Sequence, residues 1–431
     1  MKLALLLLSA SLLASAATAQ EPVTLDQALR EARAANARLP IPAYDVAIAQ
    51  DKVEEARAER WLKVAVEGGF TYAPPSGYDP VVTNAGEFRL QALGRQPLTD
   101  GGARRAAVAR ARADLAAAGG RYRIAEKDLY LEVVTQFNEM LTAREEMLAR
   151  RAGIARLESY RTSLKSRQAS GQAVAADLLK TDVRVASEEA SLLEAQRRVD
   201  DSRIALNDLM GRPPAAPLEL ASPAFPDLAP PESAAWGETP EVAEALAEVR
   251  SADAALTVAR AERKPHLDLS ADVGFWGSDT SHLVPADLKA MHPDATFWDR
   301  VRRDAGYSFT LSLSWPIFDF GAIRARVAQA NHTLAQAKAK VELARRDSHR
   351  QWEQARSALR ALSQEIALLA RAEPAARDAY LEAESRYRGG AASSLEVIDA
   401  YAASIEATVR LSEAVSRYRI SRALAERWGT P

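Results

Sequence analysis

Four segments of the chain alternate apolar and polar residues with a period of two, which is typical of β-strands with one apolar face. Residues 62–72 and 88–98 form the first pair of segments, and residues 265–276 and 307–318 form the second. Each pair predicts one β-hairpin, and the loop of the second hairpin, roughly residues 277–305, is the longer. Such strands suit a transmembrane barrel of ~9- to 11-residue strands, but two soluble hairpins packed on a core would give the same pattern.

After each hairpin the hydrophobic period changes to about 3.6, which indicates long helices. Residues 102–210 and residues 321–428 each predict a helical hairpin, with turns at Ser170-Gly171 and Gly389-Gly390. An outgoing arm of about 66 residues would be about 100 Å long at a rise of ~1.5 Å per residue. Arms of this length are typical of coiled coils, and their many Ala residues allow close helix packing.

Shorter helices are predicted before each β-hairpin. A helix at residues 23–36 is followed by Pro40 and Pro42, which are expected to interrupt the chain before a second helix at residues 44–60. Residues 239–263 predict the matching helix of the second half.

The junction at which a β-hairpin becomes a helix occurs twice with the same residue types. The two copies match at an offset of 219 positions: Pro97, Asp100 and Gly102 in the first, and Pro316, Asp319 and Gly321 in the second. The aspartate of each copy can cap the first N–H groups of the following helix. The same offset relates Gly171 to Gly390. The chain is therefore a tandem duplication, with repeats at residues 20–212 and 239–431 and a proline-rich connector at residues 213–238.

The N-terminus has the pattern of a secretory signal. Lys2 precedes an apolar run at residues 3–13, and Ala17-Thr18-Ala19 forms a small-residue cleavage site. We expect removal of residues 1–19 and a mature chain that starts at Gln20. The run is too short to span a bilayer, and no later segment provides the ~20 consecutive apolar residues of a spanning helix, so a membrane crossing would require a barrel. The absence of Cys excludes disulfides and lipid attachment to a Cys.

Composition and charge argue against nucleic-acid binding and catalysis. Charged residues make up 26% of the chain and the formal net charge is −2, without a concentrated basic face. The five His residues show no metal-ligand spacing. No phosphate-binding Gly-rich loop or nucleophile elbow is present. We therefore expect neither an enzyme nor a cofactor or metal site.

The turn of the second helical hairpin carries two acidic residues of interest. Glu396 and Asp399 are three positions apart, which places both on one face of a helix. Ser393 followed by Glu396 also forms a capping box, a local role that requires no further function. That role does not account for Asp399.

The signal segment, the twofold repeat, the Pro–Asp–Gly junctions and the glycine-containing helical turns together resemble the TolC-like outer-membrane efflux protein family. The resemblance covers nearly the whole mature chain. It implies a mainly α fold with a small β part, in which a homotrimer builds a 12-stranded β-barrel in outer-membrane lipid and continues as an α-helical barrel through the periplasm. It also implies a passive exit duct for efflux of drugs, metals or other small molecules, or for type I secretion, that works with a periplasmic adaptor and an inner-membrane pump.

The same resemblance assigns roles to individual residues. It places an acidic periplasmic constriction at Glu396 and Asp399. It places a tip latch at Tyr387 and Asp177, and it places the tips that dock the adaptor at Gly171 and Gly390. The position of the family's latch arginine is Ala392 here. Pro97 and Pro316 are expected where the barrel strands bend into the helical tunnel.

Two other classes of exported protein share part of this pattern. A periplasmic adaptor also contains a helical hairpin, but that family places one hairpin inside lipoyl and soluble β-barrel modules, whereas this chain predicts two hairpins and no such modules. A secreted coiled-coil scaffold would not need two amphipathic β-hairpins at matching repeat positions. Detergent-dependent extraction from outer membranes as a trimer would separate the duct from both.

Overall fold

The structure is a computed structural model that describes residues 21–72, 86–171, 174–228, 236–278 and 282–429. The signal segment at residues 1–19 and part of the connector lie outside the described residues. The elements follow one another in this order: α1 (Leu25–Ala35), α2 (Pro40–Ala58), β1 (Lys63–Thr71), β2 (Glu87–Thr99), α3 (Ala103–Ala169), α4 (Ala175–Leu209), α5 (Pro240–Ala261), β3 (His266–Ser278), α6 (Ala286–Met291), α7 (Phe297–Asp304), β4 (Ala305–Ser314), α8 (Ala322–Arg388) and α9 (Ser394–Trp428).

The strands of the described residues form one antiparallel sheet in the order β1-β2-β3-β4. β2 pairs with β3, so the two β-hairpins share one sheet. The register aligns the apolar positions of all four strands on one face, which includes Val64, Val66, Phe70, Phe88, Leu90, Val273, Phe275, Tyr307, Phe309 and Leu311. The opposite face is mainly polar and includes Glu67, Arg89, Gln91, Arg95, Asp268, Asp272, Ser308 and Thr310. Every residue of β1 and β4 is exposed, so the chain covers neither face of these strands.

The helix α2 begins four residues before its predicted start. Pro40 and Pro42 both lie in its first turn, where backbone N–H groups have no partner inside the helix, so proline costs no hydrogen bond there. The expected interruption at these prolines is therefore wrong. The long arms end directly before the predicted turns, α3 at Ala169 and α8 at Arg388.

The connection between β3 and β4 contains two short helices, α6 and α7, where the sequence pattern predicted a loop. Thr296 and Asp299 form a capping box at the start of α7. Arg300 is buried, pairs with Asp304 at 3.3 Å, and places its guanidinium 4.8 Å from the ring centroid of Phe88. These contacts attach the connection to the sheet.

The chain divides into two compact units, and neither unit coincides with one sequence repeat. One unit comprises the described parts of residues 1–40, 125–237 and 349–431, and the other comprises those of residues 41–124 and 238–348. Each unit combines parts of both repeats. The second unit contains the sheet, and the first contains both helical turns.

The apolar core of the first unit is formed by helix pairs. α1 packs against α3 and α4, where Phe137 and Leu206 are almost fully buried. A separate cluster joins α8 and α9 around Ile366 and Tyr418. Across the part of the chain that the structure describes, no helix has the length and apolar character needed to cross a membrane.

Candidate functional site at the helical turns and strand-to-helix junctions

The two helical turns have the same backbone geometry. Gly171 and Gly390 both have a φ of +76°, in the left-handed region that glycine adopts without strain. Each N–H donates to the carbonyl three positions back, at 3.0 Å, in Gln168 and Tyr387 respectively. Apart from each glycine and its two chain neighbours, no heavy atom of the described residues lies within 4 Å of a Cβ built on either glycine. Backbone conformation therefore requires these glycines, and the surface above them is open.

A buried cluster, here called the tip cluster, joins the ends of the two helical hairpins. Each of the four helix ends contributes to it, with Tyr160 and Leu164 from α3, Val185 from α4, Tyr380 and Tyr387 from α8, and Val397, Ile398 and Tyr401 from α9. The rings of Tyr160 and Tyr387 meet edge-on, with their centroids 5.1 Å apart. Burial raises the pKa of Tyr160, and the neighbouring Tyr387 raises it further. The ends of both hairpins thus share one core.

Arg167 contacts Tyr387 across the two hairpins. Its guanidinium carbon lies 4.8 Å from the centroid of the Tyr387 ring. Its Nη1 also donates a hydrogen bond to the main-chain carbonyl of Tyr387 at 3.0 Å. The equivalent residue of the second repeat, Arg386, donates instead to the carbonyl of Ala391 in its own turn, at 3.3 Å. The sequence pattern gives no sign of the Arg167 contact, because arginine is common along both arms.

The predicted latch pair is not hydrogen-bonded. In the described part of the chain, no hydrogen bond connects Tyr387 to Asp177. Asp177 is half-buried in the first turn of α4, where its carbonyl accepts a hydrogen bond from the Thr181 hydroxyl at 2.9 Å. Ala392 packs against the tip cluster and has no side-chain donor. The latch assignment of Tyr387 and Asp177 stays a prediction.

Glu396 and Asp399 are both exposed at the start of α9. The Ser393 hydroxyl accepts a hydrogen bond from the Glu396 N–H at 3.2 Å, and the Glu396 carboxylate accepts one from the Ser393 N–H at 3.5 Å. This reciprocal arrangement is a capping box. Within the described ranges, the Asp399 side chain forms no hydrogen bond or ion pair. Helix capping therefore accounts for Glu396 and leaves the Asp399 carboxylate free, and their role as a constriction stays a prediction.

At the first strand-to-helix junction, Asp100 caps the helix that follows. Pro97 lies near the end of β2, next to a register shift against β3. Asp100 accepts hydrogen bonds from the N–H groups of Gly102 at 2.9 Å and of Arg104 at 2.8 Å, and so caps α3. Burial alone would raise the pKa of Asp100, but these hydrogen bonds outweigh it and lower the pKa.

The second junction repeats this arrangement. Pro316 follows the end of β4, so neither junction proline lies inside a helix. Asp319 accepts hydrogen bonds from the N–H groups of Ile323 at 2.5 Å and Gly321 at 3.1 Å, and the bond from Ile323 lowers its pKa most. Phe320 occupies the position of Gly101 with a φ of +52°, which is unfavourable for a residue with a side chain.

A series of ion pairs in the first helical hairpin joins two buried glutamates to partly exposed arginines. Glu188 on α4 binds Arg150 at 2.8 Å and Arg184 at 2.7 Å. Glu146 on α3 binds Arg150 at 2.8 Å and also pairs with Arg198. Glu188 is 2% exposed and Glu146 is 5% exposed. The pairs within one helix are spaced i, i+4 and are visible in the sequence. The pairs between helices depend on the register of α3 against α4.

The second hairpin keeps one of these pairs at the equivalent positions. Glu146 and Arg198 correspond at the offset of 219 to Glu365 and Arg417, which pair at 2.9 Å. The side chains of this second pair are 43% and 56% exposed. Arg150 corresponds to Leu369. The same ion pair is therefore part of a buried network in one hairpin and is solvated in the other.

Comparison with known sequences identifies related proteins. The chain matches the family described as outer membrane efflux protein twice, over residues 25–212 and over residues 233–430. The pyoverdine export outer membrane protein OpmQ of Pseudomonas aeruginosa is 26% identical over 317 residues, which are 70% of this chain and 62% of that protein. The OpmQ protein of Pseudomonas putida is 24% identical over 327 residues with the same coverage. The chain thus spans 62% of the length of these curated relatives.

Solved structures with a similar fold are also outer-membrane proteins. The outer-membrane channel OprN has a TM-score of 0.80 at 19% identity, covering 94% of this chain and 89% of that chain. The outer membrane protein VceC of Vibrio cholerae has a TM-score of 0.80 at 19% identity, covering 93% of this chain and 94% of that chain. At these identities the likeness establishes the fold.

Proposed function

Because the chain belongs to the outer membrane efflux protein family, we propose that it is an exit duct that passively conducts small molecules out of the cell. It acts as a homotrimer in the outer membrane, with most of each chain in the periplasm, and receives its cargo from an inner-membrane pump and a periplasmic adaptor. Pyoverdine, the compound named for OpmQ, is the first cargo to test. In this role the chain is a conduit and not an enzyme.

The observation that carries the proposal is the exposed sheet with one apolar and one polar face. Phe309 and Leu311 on the apolar face are 73% and 63% exposed, as side chains that face lipid in a membrane barrel would be. The polar face suits a water-filled lumen. The outer edges of β1 and β4 have no partner strand in the described residues. Closure with two further copies would pair both edges and give a barrel of 12 strands.

The helical turns are proposed to dock the periplasmic adaptor. Gly171 and Gly390 are exposed and have the same φ, and each leaves open space above the backbone. Two equivalent turns in each chain would offer six similar surfaces in a trimer. This supports docking of several copies of one partner around the threefold axis of the trimer.

Glu396 and Asp399 are proposed to form an acidic constriction near the turns. Threefold symmetry would convert two carboxylates on one helix face into two stacked rings, with about six carboxylates around the lumen. Such rings attract cations and repel anions in a narrow pore. The exposure of both residues and the free carboxylate of Asp399 support this role.

The test is the ion selectivity of the purified full-length protein in planar bilayers. The variant Glu396→Gln with Asp399→Asn removes both charges while the amides keep the shape and the capping hydrogen bonds. We expect the wild type to prefer cations and the double variant to lose most of that preference, because the ring charge is gone. Glu406→Gln, an exposed change further along α9, is the control and should leave the selectivity unchanged.

Two results would contradict this proposal at different levels. If the double variant keeps the cation preference of the wild type, the constriction lies elsewhere and Glu396 is a capping residue. If the protein does not fractionate with outer membranes and forms no channel in bilayers, the duct function itself is wrong.

A further inference from the structure

We propose that Arg167 holds the second helical hairpin against the first by binding the end of α8 at Tyr387, and that this contact stabilises the closed state of the duct. The proposal rests on the proposed function, because it assigns a residue to the closed state of that duct. It goes beyond the predicted latch, since Arg167 belongs to neither Tyr387–Asp177 nor the position of Ala392. Two contacts carry it, one to the main chain and one to the ring.

The first contact caps the C-terminal end of α8. Tyr387 is the residue before the last in α8, and its carbonyl is one of the final four that lack a partner inside the helix. This carbonyl accepts hydrogen bonds from the Gly390 N–H and from Arg167, both at 3.0 Å. A cation at this position also interacts favourably with the helix dipole. Arg167 on α3 therefore caps a helix of the other hairpin.

The second contact is between the guanidinium and the Tyr387 ring. The distance of 4.8 Å to the ring centroid is within the range of a cation–π interaction. Tyr387 is 8% exposed, and Tyr160 packs edge-on against its ring, so the ring has little freedom to turn away. Among the described residues Arg167 forms no ion pair, and its guanidinium contacts Tyr387 through both the hydrogen bond and the ring.

The sequence repeat supplies a matched control. Arg386 occupies the equivalent position of the second hairpin and has the same side chain, but it donates to Ala391 in its own turn and does not cross to the other hairpin. A second arginine of the first hairpin also contacts a tyrosine of the second hairpin. The guanidinium carbon of Arg184 lies 5.8 Å from the ring centroid of Tyr401. In both contacts, the first hairpin provides the arginine and the second provides the tyrosine.

The proposal and the predicted latch differ in what they require of Tyr387. A hydrogen bond from Tyr387 to Asp177 needs the tyrosine hydroxyl, and so Tyr387→Phe would break it. Binding by Arg167 needs the ring and the main-chain carbonyl, which Tyr387→Phe keeps. If the latch holds the duct closed, Tyr387→Phe should open it as far as Asp177→Asn does. If Arg167 holds the duct closed, Tyr387→Phe should have a much smaller effect than Arg167→Gln.

The first readout is the basal conductance of the full-length protein in planar bilayers. We expect Arg167→Gln to increase the open fraction about tenfold, the change in an equilibrium constant that corresponds to loss of one hydrogen bond to a charged group. Arg167→Lys keeps the charge without the planar fork, so it should give a smaller increase. Arg386→Gln should conduct like the wild type, and Tyr387→Phe, which keeps the ring and the carbonyl, should increase the open fraction much less than Arg167→Gln.

The second readout does not depend on channel activity. The natural chain has no Cys, so a spin label at Ser385→Cys, near the end of α8, reports the mobility of that end alone. We expect Arg167→Gln to increase the mobility of this label and Arg386→Gln to leave it unchanged. A spin label at Ser166→Cys, the equivalent position on α3, should show a smaller increase in mobility in Arg167→Gln. Size and helix content of every variant are checked first, and Arg167→Lys serves if Arg167→Gln does not assemble.

The possible outcomes separate the proposals. Increased conductance and label mobility in Arg167→Gln, with neither in Arg386→Gln and with much smaller increases in Tyr387→Phe, support the role of Arg167. Unchanged mobility and conductance in Arg167→Gln, or equal changes in Arg386→Gln, overturns it, as does an increase confined to Tyr387→Phe and Asp177→Asn. If the label becomes mobile in Arg167→Gln but no variant conducts, the Arg167 contact stands and the duct function fails.

Discussion

Removal of Glu146 should destabilise the protein far more than removal of its repeat equivalent, Glu365. Glu146 is 5% exposed and pairs with Arg150 and Arg198. Glu146→Ala therefore removes the carboxylate of Arg198 and one of the two carboxylates of Arg150, whose side chain is 19% exposed and keeps Glu188. Breaking a buried ion pair from one side costs about 3 to 5 kcal/mol. Arg198 is 40% exposed and can be partly hydrated, and we therefore expect about 3 kcal/mol. Glu365→Ala breaks an exposed pair and should cost about 0.2 to 1 kcal/mol.

The measurement is guanidinium-induced unfolding of the full-length protein in detergent, followed by the helical signal in circular dichroism. Glu146→Ala and Glu365→Ala remove the same atoms from equivalent positions of two hairpins, so the difference between them reports the burial of Glu146 together with its second partner, Arg150. We expect a difference of about 2 kcal/mol or more in the free energy of unfolding. Equal losses in the two variants would refute the reasoning, because burial would then have no effect on the cost.

Two further predictions concern a close contact and a titrating cap. A Cβ at Gly153 would overlap the Tyr401 hydroxyl, so Gly153→Ala should cost about 1 to 3 kcal/mol in the same assay. Tyr401→Phe should restore only part of this loss, because the ring carbons Cζ and Cε2 would still lie 2.9 and 3.1 Å from the new Cβ; no loss in Gly153→Ala would contradict the contact. Because the pKa of Asp100 is lowered from 3.8, its contribution to stability is present above that pH and is lost as the pH falls through the folded-state value. The stability difference between wild type and Asp100→Asn should therefore shrink below about pH 4, and a constant difference would contradict this sign.

Local patterns in the sequence were sufficient to predict the ends of the long helices. Glycine at Gly171 and Gly390 permits the left-handed backbone of each turn, and the change of period at each junction marks the start of an arm. The capping aspartates were also readable, because Asp100 and Asp319 recur at the same place in both repeats. These features depend on residues close together in the chain.

Contacts that depend on the register between distant helices could not be predicted. Arg167 reaches Tyr387 only because the ends of two hairpins share the tip cluster, and no periodicity encodes which arginine does so. The helix α7 was missed for a different reason. Its capping box at Thr296 and Asp299 was present in the sequence, but eight residues give too little periodicity to distinguish a helix from a loop.

The pairing of β2 with β3 has a consequence for biosynthesis. Thr99 of β2 pairs with Leu267 of β3, and a chain elongating at about 5 to 20 residues per second makes the second strand roughly 10 to 30 s after the first. During that interval the β2 edge has no β3 partner, and such an unpaired edge is a template for aggregation. We therefore expect the newly made chain to depend on a holding chaperone until the second half has been synthesised, and a chain truncated before residue 266 to be degraded or to aggregate.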